Sequence, residues 1–217
     1  MKLPYLQTLS AITLFLLSAS AGAQTSLGER LVSSLSYCDA RFFDEVSASR
    51  GELDRHAQVI ARGRTSTFPV PDMAHDTESK SFFALPVEVR GLIVIGYFDE
   101  IKRIPGGLIV SWGLLVPTST TEAAQKLRGL FWEGERLRTE DEVFVRSEVW
   151  HHDEPMRGWV KEVTEPGLPK PNTVERVLMV EPYNGETAFI RVECSLQGAV
   201  TREMLDTLRP DLPLKAQ

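Results

Sequence analysis

The sequence predicts an α+β protein: an antiparallel sheet packed against an N-terminal helical segment and two shorter helices. Three observations carry that expectation. Early in the chain apolar residues recur at helical spacing; later, short runs rich in β-branched and aromatic residues follow one another at hairpin spacing; and helix-start signals interrupt those runs. The 217 residues are 42% hydrophobic and 25% charged, the mixture of an ordinary folded protein, which excludes disordered and fibrous classes. No stretch reads as a convincing domain boundary, so residues 24–217 are expected to form a single α+β domain.

Residues 1–23 read as a secretory signal peptide. Lys2 supplies the positive start, Leu9 to Leu17 a largely apolar run, and Ala21-Gly22-Ala23 the small residues before a cut ahead of Gln24. The apolar run is half the length of about 20 residues that a membrane span needs. The first cysteine is Cys38, so none stands at the cut to take a bacterial lipid anchor. The exported chain is expected to be soluble, without a membrane span after cleavage, and periplasmic or secreted.

Residues Leu27 to Arg62 read as helix, through Leu27, Leu31, Leu35, Phe42, Phe43, Val46, Leu53, Ala57 and Ile60. Ser49-Arg50-Gly51-Glu52 fits a capping box, predicting a break and restart, and Gly63 a stop. From Arg64 to Ser81 the chain is polar and punctuated by Pro69 and Pro71, a loop. Strands are predicted at Ser81 to Val89, Leu92 to Phe98 and Leu108 to Val116, the last two joined through Pro105-Gly106-Gly107. Ser119-Thr120-Thr121-Glu122 is a second capping box, opening a helix with Ala123, Ala124, Leu127, Leu130 and Phe131 on its apolar face. Further strands are predicted at Val143 to Trp150, Gly158 to Val163, Val174 to Val180 and Thr187 to Ser195, with a stiff connector from Pro166 to Pro171 and a short helix from Thr201 to Leu208.

A weak internal echo aligns residues 109–127 with 190–208, matching Ile109 to Ile190, Leu115 to Leu196, Thr120 to Thr201, Glu122 to Glu203 and Leu127 to Leu208. A β-β-α duplication is one reading of it. The other is chance, because any two hairpin-helix units share such periodicities.

Charge and sulfur narrow the function classes. Lys plus Arg number 24 against 30 Asp plus Glu, a net charge of −6. Loss of Lys2 with the leader lowers the basic count from 24 to 23, giving −7. Capture of nucleic acid by overall charge is therefore not expected. Two cysteines and four histidines exclude multi-zinc and multi-disulfide modules. In an oxidising compartment Cys38 and Cys194 can form one intramolecular bridge. A chain-entropy estimate gives such a loop about 5 kcal/mol, an upper figure.

No nucleotide-binding glycine motif, His-Glu-x-x-His, Cys-x-x-Cys or Gly-x-Ser-x-Gly occurs. Glu193-Cys194-Ser195-Leu196-Gln197-Gly198 comes near the last but lacks its first glycine, leaving Ser195 as a strand-end residue. Asp99-Glu100, Lys102-Arg103 and Glu140-Asp141-Glu142 read as solvated faces. His56 reads as a residue packed at a core edge, and Asp72, His75 and Asp76 as loop residues with no support as a metal trio. No cofactor, catalytic group or metal site is assigned.

The densest cluster of functional side chains runs from Trp150 to Trp159, between two predicted strands. Adjacent His151 and His152 on a strand point to opposite faces and rarely reach one ion. Trp150, His151, His152, Met156, Arg157 and Trp159 are instead the candidate partner-binding residues, because aromatic, Met and Arg side chains are enriched at interface hot spots. The functional expectation is an exported, non-enzymatic protein-binding module, an inhibitor or immunity-type partner of another envelope or secreted protein. Two alternatives stay open: a hydrolase or metal-dependent enzyme using the His151/His152 region, and a periplasmic carrier of a lipid or small ligand.

Overall fold

A computed structural model describes residues 25–164, 167–183 and 188–212. The expected signal peptide lies outside these residues, as do Pro166 of the connector and Thr187.

The chain begins with α1 (Leu27–Leu35), α2 (Arg41–Ala48) and the single turn α3 (Arg50–Leu53). Helix α1 opens on a capping box: Ser26 Oγ accepts from the Glu29 N–H and Glu29 accepts from the Ser26 N–H, both at 3.2 Å. Leu31 and Leu35 of α1 and Phe42, Phe43 and Val46 of α2 are fully buried. Helix α1 lies directly on the sheet, for a Cβ at Gly28 would fall 2.2 Å from the Glu88 carbonyl oxygen.

The helical segment is shorter than its periodicity predicts. It breaks after Leu35, where Cys38 adopts φ 54°, and again at Ser49. Ser49 does not cap the restart; its hydroxyl donates to Glu45 Oε1 at 2.5 Å. Nor does helix reach Arg62. The His56 carbonyl accepts from the backbone N–H groups of Ala84 and Leu85, at 2.7 and 3.3 Å, and these tertiary bonds replace a helical turn. Beyond them, β1 (Ile60–Arg62) and β2 (Thr65–Thr67) form a two-stranded ribbon that turns at Gly63, φ 58°.

The main sheet contains β3 (Lys80–Val89), β4 (Leu92–Ile104), β5 (Gly107–Val116), β6 (Arg138–Glu140), β7 (Val143–His151), β8 (Thr173–Pro182) and β9 (Ile190–Gly198). Its order is β3-β4-β5-β9-β8-β7-β6, and every pair is antiparallel. After β5 comes α4 (Thr120–Leu127), started by Ser119 Oγ accepting from the Glu122 N–H; after β9 comes α5 (Arg202–Leu208), started in the same way by Thr201. The β5–β9 pair therefore joins two meanders, each followed by a helix: β3-β4-β5 with α4 on one side, and the four-strand β6-β7-β8-β9 with α5 on the other. The sequence echo falls on β5-α4 and β9-α5, and the structural units are larger than β-β-α, with three strands before α4 and four before α5.

Two strand expectations are corrected. Strand β4 runs on to Ile104 rather than ending at Phe98, so Asp99 and Glu100 are not solvated turn residues; they are 3% and 4% exposed. Residues 158–163 are not a strand. They touch β7 through one bridge, Val149 with Val160, and through side chains: the Ser147 hydroxyl donates to the Glu162 carbonyl at 2.7 Å and accepts from the Thr164 N–H at 3.2 Å. Gly158, at φ 65°, and Pro155 break the alternation there. This strap covers the outer edge of β7 beyond the short β6, as edge strands require.

The helices cover one sheet face and close the main core. Cys38 is bonded to Cys194 of β9, with Cα atoms 5.1 Å apart and both residues fully buried. Arg209, at the end of α5, is fully buried between the rings of Phe43 and Trp112, 4.7 and 4.6 Å away. Its guanidinium donates to Asp99 and Asp211, and the Tyr97 hydroxyl also donates to Asp99, at 3.0 Å. Burial pushes the Asp99 carboxyl up to about 7, against the pull of Arg209. A second buried cation, Arg146 of β7, is met by main-chain oxygens: it donates to the carbonyls of Ser36, at 2.7 Å, and Trp132. Burial lowers it to about 10.

Candidate functional site

Strand register decides what shares one end of the sheet. A single cross-strand row runs Arg103, Leu108, Gly198, Val174, Trp150. At about 4.8 Å per step, Trp150 sits about 19 Å along this row from Arg103. The 150–159 loop and the β4–β5 turn thus project from the same end, with the chain from Gly198 to Val200 between them.

The six candidate partner-binding residues divide into a braced base and an exposed tip. Trp150 and Trp159 meet edge to face, centroids 5.9 Å apart. The Arg176 guanidinium lies 4.4 Å over the Trp159 ring and donates twice to Glu148, at 3.0 and 2.6 Å. His152 is fixed by its backbone N–H to the Asn172 carbonyl, 3.0 Å, and by its ring Nε2 to the Ala199 carbonyl, 2.8 Å. His151 points to the opposite face and meets Glu162 at 3.0 Å, so the two rings do not converge. Pro155 to Arg157 form a 3-10 turn at the tip, where Arg157 pairs with Glu154 at 2.5 Å and Met156 is 97% exposed. Tryptophan bodies are thus packing residues at the loop's base, while methionine and arginine meet solvent.

The sheet face opposite the described helices carries a second group of charges. Arg191 of β9 contacts Glu181, Glu193 at 2.9 Å and Glu100 at 3.6 Å. The rings of Phe98 and Tyr183 lie 5.1 Å from its guanidinium. Burial pushes the Glu193 carboxyl up to about 8, despite Arg191. Next to this cluster a groove of about 370 Å³ has Val143, Val145, Val177 and Met179 on its floor and Glu175 on its rim. Burial raises Glu175 above the usual carboxylate range as well.

Ser195 lies inside β9 rather than at its end. It is fully buried, and its hydroxyl accepts from Gln197 at 2.8 Å, with no histidine bonded to it. His56 Nδ1 donates to the Leu85 carbonyl, 2.9 Å. His75 pairs with Asp72 at 2.8 Å, which raises the imidazole; the Ala74 N–H and then His75 lower the Asp72 carboxylate, while Asp76 pairs instead with Lys102 at 3.1 Å. Among the described residues, no group of three or more His, Cys, Asp or Glu side chains is placed to hold a metal ion, and no helix is long and apolar enough to cross a membrane.

Compared with protein-family models, curated proteins and solved structures, the chain matches none.

Sequence reasoning missed Arg176, which braces the loop from a neighbouring strand, and the cations Arg62 and Arg103, which the fold brings to one cleft. Arg176 had a signal: it shares strand parity with the core residues Val174, Leu178 and Val180, and a charge at such a position needs a partner. Arg62 had none, because its segment reads as helix.

Proposed function

We propose that the protein is exported and acts as a non-enzymatic protein-binding module of the envelope or the secreted fraction, an inhibitor or immunity-type partner of another protein. The observation that carries this reading is the 150–159 loop: a fully exposed Met156 beside Arg157, held on a base fixed by Trp150, Trp159, Arg176 and His152. A loop whose base is already ordered loses little conformational entropy on docking, and an exposed methionine adapts to an apolar partner surface. The buried Cys38–Cys194 bond supports an oxidising compartment.

A photo-crosslinking residue placed at 156 in the living cell tests the binding surface. One discrete crosslinked partner is expected from that position, and none from position 51, an exposed helical glycine with open space around it. The same products from both positions would overturn the assignment. N-terminal sequencing of the accumulated protein tests export, with Gln24 expected as the first residue.

A further inference from the structure

We infer that a cleft beside the β4–β5 turn receives an acidic, extended peptide segment of a partner protein. The cleft, about 1070 Å³, lies between the 70–74 loop and the end of β4. Its floor is apolar: Val70, Met73 and Ile101. Its cations are Arg62, Lys102 and Arg103, gathered from β1 and β4 of a chain whose net charge is −6. The inference goes beyond the loop reading and rests on different residues.

Two of the three cations are uncommitted. Lys102 is shared between Asp76, 3.1 Å, and Glu100, 3.3 Å. Among the described residues the guanidinium groups of Arg62 and Arg103 have no carboxylate partner. The one carboxylate lining the cleft, Asp72, is tied to His75 and to the Ala74 N–H. The guanidinium groups of Arg62 and Arg103 thus remain available to an anionic occupant, which they would select by charge complementarity.

Backbone geometry selects an extended occupant over a compact ion. On the side of β4 facing away from β5, the Asp99 N–H donates to Ser79 at 2.9 Å and the Ile101 N–H to Met73 at 2.8 Å. Antiparallel alternation turns the Arg103 N–H the same way, and no backbone bond continues the series there among the described residues. A peptide can therefore extend the line from Met73, its carbonyl accepting from Arg103, its acidic side chains reaching Arg62 and Arg103, and an apolar side chain resting on Val70 and Met73. The cleft is open and lined partly by exposed residues, which suits a segment of a larger chain better than a small ligand that needs most of its surface enclosed.

The test is fluorescence anisotropy of a labelled Glu-Leu-Glu-Leu-Glu peptide with the full mature chain. Saturable binding is expected, weakened about tenfold by R62Q/R103Q and reduced between about 50 and about 500 mM salt. R157Q should leave it unchanged, which separates this cleft from the 150–159 loop. R103Q alone, at an exposed strand end, gives a partial loss and guards against misfolding of the double variant. Equal binding of Gln-Leu-Gln-Leu-Gln, unchanged binding by both arginine variants, or saturation by decanoate where the peptide fails would each overturn the inference.

Discussion

Arg209 and Asp99, 110 residues apart in sequence, meet at 2.7 Å with side chains 0% and 5% exposed. The contact fastens the last helix to the longest strand. Removing the cation strands Asp99 and Asp211 in the core. Arg209→Met is therefore expected to destabilise by about 3 to 5 kcal/mol, read as a lower urea midpoint. Adding Asp99→Asn should recover part of the loss; a double variant as weak as the single one would contradict the pairing.

Proton linkage gives this protein an inverted pH response. Asp99 stands at about 7 and Glu193 at about 8 when folded, both above their unfolded values because burial favours the neutral acid. Between about pH 4 and about pH 8 the folded chain binds more protons than the unfolded one, so stability falls as pH rises across that window. The expected loss is on the order of several kcal/mol, because each tenfold difference in proton affinity between the folded and unfolded chain is worth about 1.4 kcal/mol. Chemical denaturation at pH 5 and pH 8.5 measures it, and D99N/E193Q should flatten the dependence. Greater stability at pH 8.5 in the native chain would refute the assignment.

The Cys38–Cys194 bond closes a separation of 156 residues. Opening it is expected to cost up to about 5 kcal/mol, in proportion to the unfolded-chain entropy it removes. Thermal melting of the C38A/C194A chain should show a large drop in midpoint, matched by the native protein reduced under denaturing conditions and refolded.

Within the 150–159 loop, exposure and packing make opposite predictions for neighbouring residues. Met156→Ala should change stability by less than about 0.5 kcal/mol. Trp159→Ala removes the surface on which Arg176 rests and should cost about 2 to 4 kcal/mol. Equal effects in equilibrium unfolding would show that the base and tip are not distinct.

Elements with strong local signals were legible in the sequence. Ser119 and Thr201 start their helices through side-chain caps, and Pro105-Gly106 turns the β4–β5 hairpin. What failed was decided at long range. The helical periodicity of 54–62 yields to hydrogen bonds from Ala84 and Leu85. Asp99 and Glu100 look like a polar turn, yet one finds Arg209 on the helix-covered face and the other Ser79, at 3.0 Å, on the open face. At the candidate site the cluster of residue types was visible, but its division into brace and tip depended on Arg176, whose strand is brought alongside only by the sheet order. The cleft was invisible, because Arg62 and Arg103 are 41 positions apart and come to line one cleft only through tertiary packing.

The middle of the sheet is occupied by the last strand to be synthesised among the described residues. Strand β9 lies between β5 and β8, so the two meanders have no shared neighbour until residue 190 has emerged, and Cys38 waits for its partner equally long. Assembly is therefore a late event for the whole chain: neither half can finish first and template the other, and any truncation before β9 leaves two unpaired strand margins open to intermolecular association.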